Sequence, residues 1–259
     1  MSAGTIRVVL PAHDEAPNIG GLLADILRTR EEVMPHRAFA ILVVDDGSTD
    51  DTAAVVERFI ASHEADPACV IELLRHPTNR GLAEAIRTGL TTAAERSGQH
   101  DVILTMDADN SHVAGLIPSM VRVVSEGYDL AIASRYRPGA QILGVPLHRR
   151  FLSFGASLLF QALFPIPGVR DYTCGFRAYR ARLVRDVFAE NPHFITQDGF
   201  SCMVDILLKL RTRRPPVTMA EVPLLLRYDK KEGASKMNVP KTLADTMVLV
   251  VRRRLGMKD

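Results

Sequence analysis

Short apolar runs alternate with longer segments of helical periodicity through the first half of the chain, the pattern imposed by parallel strands joined through crossover helices. Ile6 to Leu10, Phe39 to Val44, Val70 to Leu74, Val102 to Met106 and Leu130 to Ala133 read as strands. Between them, residues 18–33, 52–60, 81–94 and 116–124 carry apolar side chains at three- and four-residue spacing; Ile19, Leu22, Leu23, Ile26 and Leu27 share one helical face. Phe151 to Phe164 is helical and apolar, and a turn-rich segment follows it. Helical patterns then recur around 183–188 and 200–210, and a short strand is predicted near Val222 to Leu226. No internal repeat or low-complexity linker interrupts this order.

Ligands of open parallel sheets gather beyond the carboxyl ends of the strands, and the polar residues fall there. The first strand ends in Pro11-Ala12-His13-Asp14-Glu15, the second in Asp45-Asp46-Gly47-Ser48-Thr49-Asp50 and the fourth in Asp107-Ala108-Asp109. Carboxylates delivered to one edge repel one another unless cations or hydrogen-bond donors meet them. A single Asp-x-Asp is an ordinary turn or helix cap; three acidic strand ends in succession point to a site. Alternation along a continuing strand would put Asp107 and Asp109 on one side, facing a divalent ion whose hard-oxygen preference suits magnesium or manganese.

Composition narrows the class. With 259 residues, 47% hydrophobic and 24% charged, the chain is an ordinary globular one, long enough for one large domain or two small ones. A net charge of +2 argues against a dedicated nucleic-acid binder. Cys69, Cys174 and Cys202 are widely spaced and form neither a disulfide framework nor a zinc motif, which fits a reducing cytoplasm. No signal-peptide core follows the first residues, and no window approaches the roughly 20 apolar residues of a membrane span.

These strand-end motifs, with Asn79-Arg80-Gly81-Leu82, Ser134-Arg135-Tyr136, Asp171 to Arg177 and Gly233-Ala234-Ser235-Lys236-Met237, resemble family 2 inverting glycosyltransferases, and more narrowly the dolichol-phosphate and polyprenol-phosphate mannose synthases. The likeness runs in family order from residue 8 to about 238. It implies an α/β GT-A (Rossmann-like) fold, a mostly parallel central sheet flanked by helices, with interfacial helices after the acceptor-site arginines. It further implies a catalytic domain over 1–226, with a lid loop and basic C-terminal helix over 227–259 packed on it. By the same resemblance Pro11, Ala12, His13 and Glu15 line the nucleotide pocket, Asp46 meets base or ribose, and Asp107, Asp109 and Ser111 hold the metal. Arg135, Arg149 and Ser153 hold the acceptor phosphate, while Lys230, Ser235 and Lys236 close over the diphosphate. Asp109, Arg135, Arg149 and Lys236 carry the catalysis in this scheme. His13 and Asp14 stand where the family usually has an aromatic residue and Asn, Lys230 where Arg is common, and Ser111 where many members have Gln. His112 follows the metal motif and would assist it.

Charge distribution supports the scheme independently. From Leu130 to Arg170, 41 residues contain no Asp or Glu, where the chain average would place about five, and five arginines: Arg135, Arg137, Arg149, Arg150 and Arg170. Guanidinium groups without neighbouring carboxylates are available for phosphate; the alternative is a solvated basic surface. The apolar run after Arg149 and Arg150 would lie in a headgroup region, or form core or a dimer face. Residues 227–259 carry +5 and the preceding 226 carry −3, so the positive charge is terminal. Arg252-Arg253-Arg254 could meet an anionic leaflet or end a packed helix in solvent.

The expected reaction is inverting transfer of a hexose, mannose from GDP-mannose first, to a polyprenyl or dolichyl phosphate with Mg2+ or Mn2+. The protein would sit peripherally at the cytoplasmic face of a membrane, directly or through a separate anchoring protein. One alternative keeps the fold but uses UDP-glucose or a similar donor and a hydroxyl acceptor, with Asp171, Asp198 or Asp205 as base. Another is a noncatalytic nucleotide-sugar-binding protein.

Overall fold

The computed structural model describes residues 4–63, 66–199, 201–233 and 248. Its main sheet has the order β3-β2-β1-β4-β7-β5-β8. These strands are β1 (Ile6–Ala12), β2 (Phe39–Asp45), β3 (Cys69–Arg75), β4 (Val102–Thr105), β5 (Leu130–Ser134), β7 (Arg177–Arg180) and β8 (Met219–Pro223). A second, two-stranded sheet pairs β6 (Gln141–Leu143) in parallel with β9 (Leu225–Arg227). The helices are α1 (Ala16–Val33), α2 (Thr52–Ser62), α3 (Leu82–Glu95), α4 (Ile117–Ser125), α5 (Leu147–Leu163), α6 (Ala181–Glu190) and α7 (Ser201–Arg211).

The central strand β1 lies parallel to both β2 and β4, Ile6 standing opposite Phe39 on one side and Val102 on the other. Its Ile6, Val8, Val9 and Leu10 are completely buried. Helices cover both faces, which is why its sequence is a continuous apolar run from Val8 onward and not an alternating one. α1 buries Ile19, Leu22, Leu23 and Ile26 against the sheet, each contributing about 1.5–3 kcal/mol of transfer free energy. Gly89 lets α3 approach closely, since a Cβ there would come within 2.2 Å of Val9 Cγ1. The chain lays β2 and β3 on one side of β1 and then β4 on the other. Loops therefore diverge between the ends of β1 and β4 and leave a crevice.

The structure differs from the sequence expectation in two places that matter for this edge. β4 stops at Thr105, so Asp107 and Asp109 occupy a turn and do not continue the strand; Asn110 takes a left-handed φ of 58° there. The apolar pattern also predicts no strand at Arg177–Arg180. Yet β7 runs antiparallel between β4 and β5, with Arg177 opposite Thr105. Arg177 is fully buried. Its Nε donates to the Cys174 carbonyl and its Nη2 to the Tyr172 carbonyl, both at 2.9 Å, which satisfies two of its three nitrogens inside the core. Because β7 begins where β4 ends, the loop before it returns to the acidic edge. The Gly175 carbonyl accepts from Thr105 Oγ1 at 2.7 Å. A Cβ on Gly175 would fall 2.9 Å from Asp107 Oδ1, so the aspartate carboxyl lies against the bare Cα of this loop.

Candidate active site

The loops after β1 and β2 are laced together by side chains accepting from main-chain N–H groups. Asp14, at a left-handed φ of 49°, accepts from Thr49 N at 2.8 Å and Asp50 N at 3.3 Å, and its own N–H donates to Ser48 Oγ at 2.9 Å. The Thr49 N–H, above all, holds its carboxyl below the usual range. Glu15 N donates to Thr52 Oγ1 at 2.7 Å, and Glu15 Oε2 accepts from Asn18 Nδ2 at 2.7 Å. Pro11 and Ala12 lie buried at the end of β1, and His13 Nε2 lies 2.8 Å from Asn79 Nδ2.

Asp46 does more for the neighbouring loop than its expected contact with base or ribose implies. It accepts from Arg80 N at 3.0 Å and Gly81 N at 2.7 Å, with His76 Nδ1 2.6 Å from its Oδ1. His76 Nε2 lies 3.0 Å from Thr88 Oγ1 on α3. Both carboxylate oxygens are thereby engaged in fixing the 79–81 loop. His76 carries no motif signal beyond a loop context, and its role becomes visible only when α3 packs behind it.

At the end of β4, Asp109 Oδ1 accepts from Ser111 Oγ at 2.6 Å and Ser111 N at 3.1 Å. Asp109 Oδ2 accepts from Lys231 Nζ at 2.6 Å. Burial opposes ionisation of Asp109, but His112, Lys231 and Ser111 outweigh it and hold its carboxyl below the usual range. Burial, reinforced by Asp109, raises the Asp107 carboxyl although His112 opposes it. Two carboxylates and a hydroxyl are hard donors too few to enclose an ion. That set fits a magnesium or manganese ion that keeps water and substrate oxygens in its shell. The ammonium on Asp109 marks where this edge accepts positive charge.

The segment after β9 crosses the edge. Arg227 N donates to the Ser111 carbonyl at 2.8 Å. Asn18 and Glu232 then exchange two hydrogen bonds, Glu232 N to Asn18 Oδ1 at 2.9 Å and Asn18 Nδ2 to the Glu232 carbonyl at 3.1 Å. Lys230, the expected phosphate ligand, instead points toward Asp25 at 3.8 Å, and the adjacent Lys231 takes the central position. Ser235, Lys236 and Arg252-Arg253-Arg254 lie outside the described residues.

On the other side of the crevice the expected acceptor residues cluster, with one correction. Arg135 is not a guanidinium without carboxylates, because Asp171 lies just past the acid-free stretch. Arg135 Nε and Nη2 donate to Asp171 Oδ2 and Oδ1 at 2.8 and 2.7 Å. Burial would push the Asp171 carboxyl up, but Arg135 holds it below the usual range. Glu221 Oε1 braces this pair by accepting from Arg170 N and Asp171 N, both at 2.6 Å. The Arg135 side chain remains 22% exposed. Ser153 Oγ lies 2.7 Å from Tyr136 OH, and Arg149 Nη1 donates to Tyr228 OH at 3.3 Å. Beside them, α5 leaves Leu147, Phe151, Leu152, Phe154 and Leu158 exposed, Phe151 by 73%. No described helix is long and apolar enough to cross a membrane.

Comparison with known proteins shows the family. Residues 7–188 match the family described as Glycosyl transferase family 2. The chain is 30% identical over 231 residues to the polyprenol monophosphomannose synthase of Mycolicibacterium smegmatis, covering 89% of this chain and 80% of that one. It is 32% identical over 233 residues to the undecaprenyl-phosphate mannosyltransferase of Micrococcus luteus, covering 90% and 87%. Similarity to the dolichol-phosphate mannosyltransferase of Pyrococcus furiosus is 29% over 233 residues, 90% of this chain but 59% of that longer protein. Among solved structures, glucosyl-3-phosphoglycerate synthase from Mycobacterium tuberculosis, in complex with Mn2+, uridine diphosphate and phosphoglyceric acid, matches with a TM-score of 0.65. Its sequence identity is 21%, and the match covers 99% of this chain and 80% of that one.

Proposed function

The chain belongs to glycosyl transferase family 2, and we propose that it transfers mannose from GDP-mannose to a polyprenyl phosphate with inversion at the anomeric carbon. The observation that carries this reading is the division of the crevice. An acidic edge with a place for a cation faces Arg135, Arg149, Tyr136 and Ser153, which adjoin the exposed apolar face of α5. A donor diphosphate with its metal suits the first side, and a phosphate carrying an acyl-like chain suits the second. The three relatives are named for mannosyl transfer to lipid phosphates.

An acceptor phosphate is anionic at neutral pH, so attack on the sugar needs alignment and charge neutralisation and not a general base. The carboxylates support this. Asp171 is fully buried and paired with Arg135, and Asp205 is fully buried against Lys209 at 2.7 Å. Neither is placed to take a proton from a hydroxyl acceptor, which leaves exposed Asp198 as the remaining candidate. Arg135, aimed by Asp171, and Arg149 would orient the phosphate oxygens. Asp107, Asp109 and Ser111 would hold a divalent ion, which when bound supplies charge neutralisation for the departing diphosphate. The apolar face of α5 would settle at the headgroup boundary beside its arginines, placing the protein peripherally at the cytoplasmic leaflet, alone or with an anchoring protein.

The test incubates purified protein with Mg2+ or Mn2+, a panel including GDP-mannose, UDP-glucose and UDP-N-acetylglucosamine, and a short-chain polyprenyl phosphate. Mass spectrometry is expected to find a lipid-linked mannose that forms equally well in Asp198→Asn. Transfer solely to hydroxyl acceptors, abolished in Asp198→Asn, would overturn the reading.

A further inference from the structure

Lys231 lies in none of the positions that the family resemblance assigns, yet it occupies the middle of the acidic edge. Its side chain is 9% exposed, and its ammonium lies 2.6 Å from Asp109 Oδ2 and 5.7 Å from the centre of the Tyr228 ring. The next residue, Glu232, is gripped through its main chain by both polar atoms of Asn18 on α1. The lysine is therefore presented by an anchored strap. A carboxylate oxygen that accepts a short charge-assisted hydrogen bond cannot offer the same lone pair to a divalent ion. The two cations compete for one atom.

We propose that Lys231 is an exchangeable counter-cation of the metal motif. It neutralises Asp109 in the donor-free protein, is displaced when a metal-bound nucleoside diphosphate enters, and then turns its ammonium to the phosphate oxygens. The strap it belongs to is thereby tied to the loaded donor, and an empty site is kept from holding a bare metal ion. No covalent step is involved: the divalent ion replaces the ammonium on Asp109, and the ammonium passes to the negative charge that the diphosphate brings. This inference rests on the nucleotide-sugar donor reading above.

Mn2+ titrated into the full chain without nucleotide, and followed by the electron paramagnetic resonance signal of the free ion, tests the competition. Lys231→Met is expected to bind Mn2+ about tenfold more tightly than the parent, the effect of removing one charge-assisted competitor. It should then bind GDP in the presence of Mn2+ more weakly than the parent, because the lysine no longer reaches the phosphates. Asn18→Ala, which keeps the lysine but loosens the strap, should tighten Mn2+ binding by a smaller factor, about threefold. If Lys231→Met fails to reach the native circular dichroism, Asn18→Ala decides. Equal or weaker Mn2+ affinity in a folded variant overturns the exchange while leaving the donor reading intact. Absence of Mn2+ binding in every form, with sugar transfer persisting in a chelator, removes the metal motif and the exchange together.

Discussion

The two sides of the crevice neutralise their carboxylates to different degrees. Around the ends of β1, β2 and β4, Asp14, Asp46 and Asp109 accept from main-chain N–H groups. Around β5, Asp171 also accepts from main-chain N–H groups, those of Arg135, Thr173 and Cys174, and is besides taken by two nitrogens of the Arg135 guanidinium. A main-chain donor fixes a carboxylate without cancelling its charge, whereas an arginine fixes and cancels it together. The donor edge is thus rigid, and the charge of its Asp109 is met by the Lys231 ammonium through a single hydrogen bond. The acceptor side is rigid because its buried charge is spent internally, and its attraction for phosphate falls to what remains accessible of Arg135 and to Arg149.

That contrast can be broken first at its most buried point. Asp171→Asn leaves the Arg135 charge buried without its partner and is expected to destabilise the fold by about 3–5 kcal/mol. Replacing both members by apolar residues should recover most of this in urea unfolding. A loss below about 1 kcal/mol would mean that the pair is solvated and the contrast false. On the donor edge the same chemical change should cost less stability, because the lysine side chain can carry its ammonium to water, but should lower turnover on the order of 10²–10³-fold. Asp109→Asn tests this, and an unfolding shift as large as that of Asp171→Asn would contradict it.

Smaller effects sharpen the distinction. His76→Ala leaves Asp46 with its main-chain partners alone and should cost about 1–3 kcal/mol, with a raised KM for the donor and an unchanged KM for the acceptor. An acceptor effect of equal size would show that the two sides are not separable. Phe151→Ser with Leu158→Ser, both on the exposed face of α5, should shift stability by no more than about 0.5 kcal/mol. Binding to anionic vesicles should fall about tenfold; unchanged vesicle binding removes α5 from the membrane surface. Acid supplies the mildest test. Asp14 has a depressed pKa in the folded chain. Its contribution is complete above the unfolded value near ~4 and is lost as pH falls through the folded one. Asp14→Asn should flatten the acid side of a melting-temperature profile, and a steeper profile would reverse the sign of its role.

Much of the donor edge is legible in the chain because its strands are apolar on both faces and each ends abruptly in acids. Pro11 to Glu15 and Asp45 to Asp50 need no tertiary knowledge to be placed at one edge. The acceptor side is less legible. β7 escapes an apolar pattern because its first residue, Arg177, is buried with two of its nitrogens donating to carbonyls of the preceding loop, an accommodation invisible until that loop has folded. The pairing of Arg135 with Asp171 spans 36 positions, so an acid-free interval in the sequence did not mean an acid-free neighbourhood in space. Lys231 rather than Lys230 reaches Asp109 because the single 3-10 turn Tyr228–Lys230 rotates the chain just before it.

The Arg135–Asp171 pair also closes a neck. Everything between these residues, α5 and β6 included, leaves the main sheet at one and returns to it at the other, with Glu221 fastening the point of return. A loop clasped at its base changes its closure free energy only logarithmically with length, by about 0.6 kcal/mol for each doubling. The excursion can therefore change length at small cost outside the parts that pack on the domain, β6 against β9 and Phe160 and Phe164 in the core. Inserting a few residues between β6 and α5, at 144–146, should therefore leave the unfolding midpoint nearly unchanged, which urea unfolding checks.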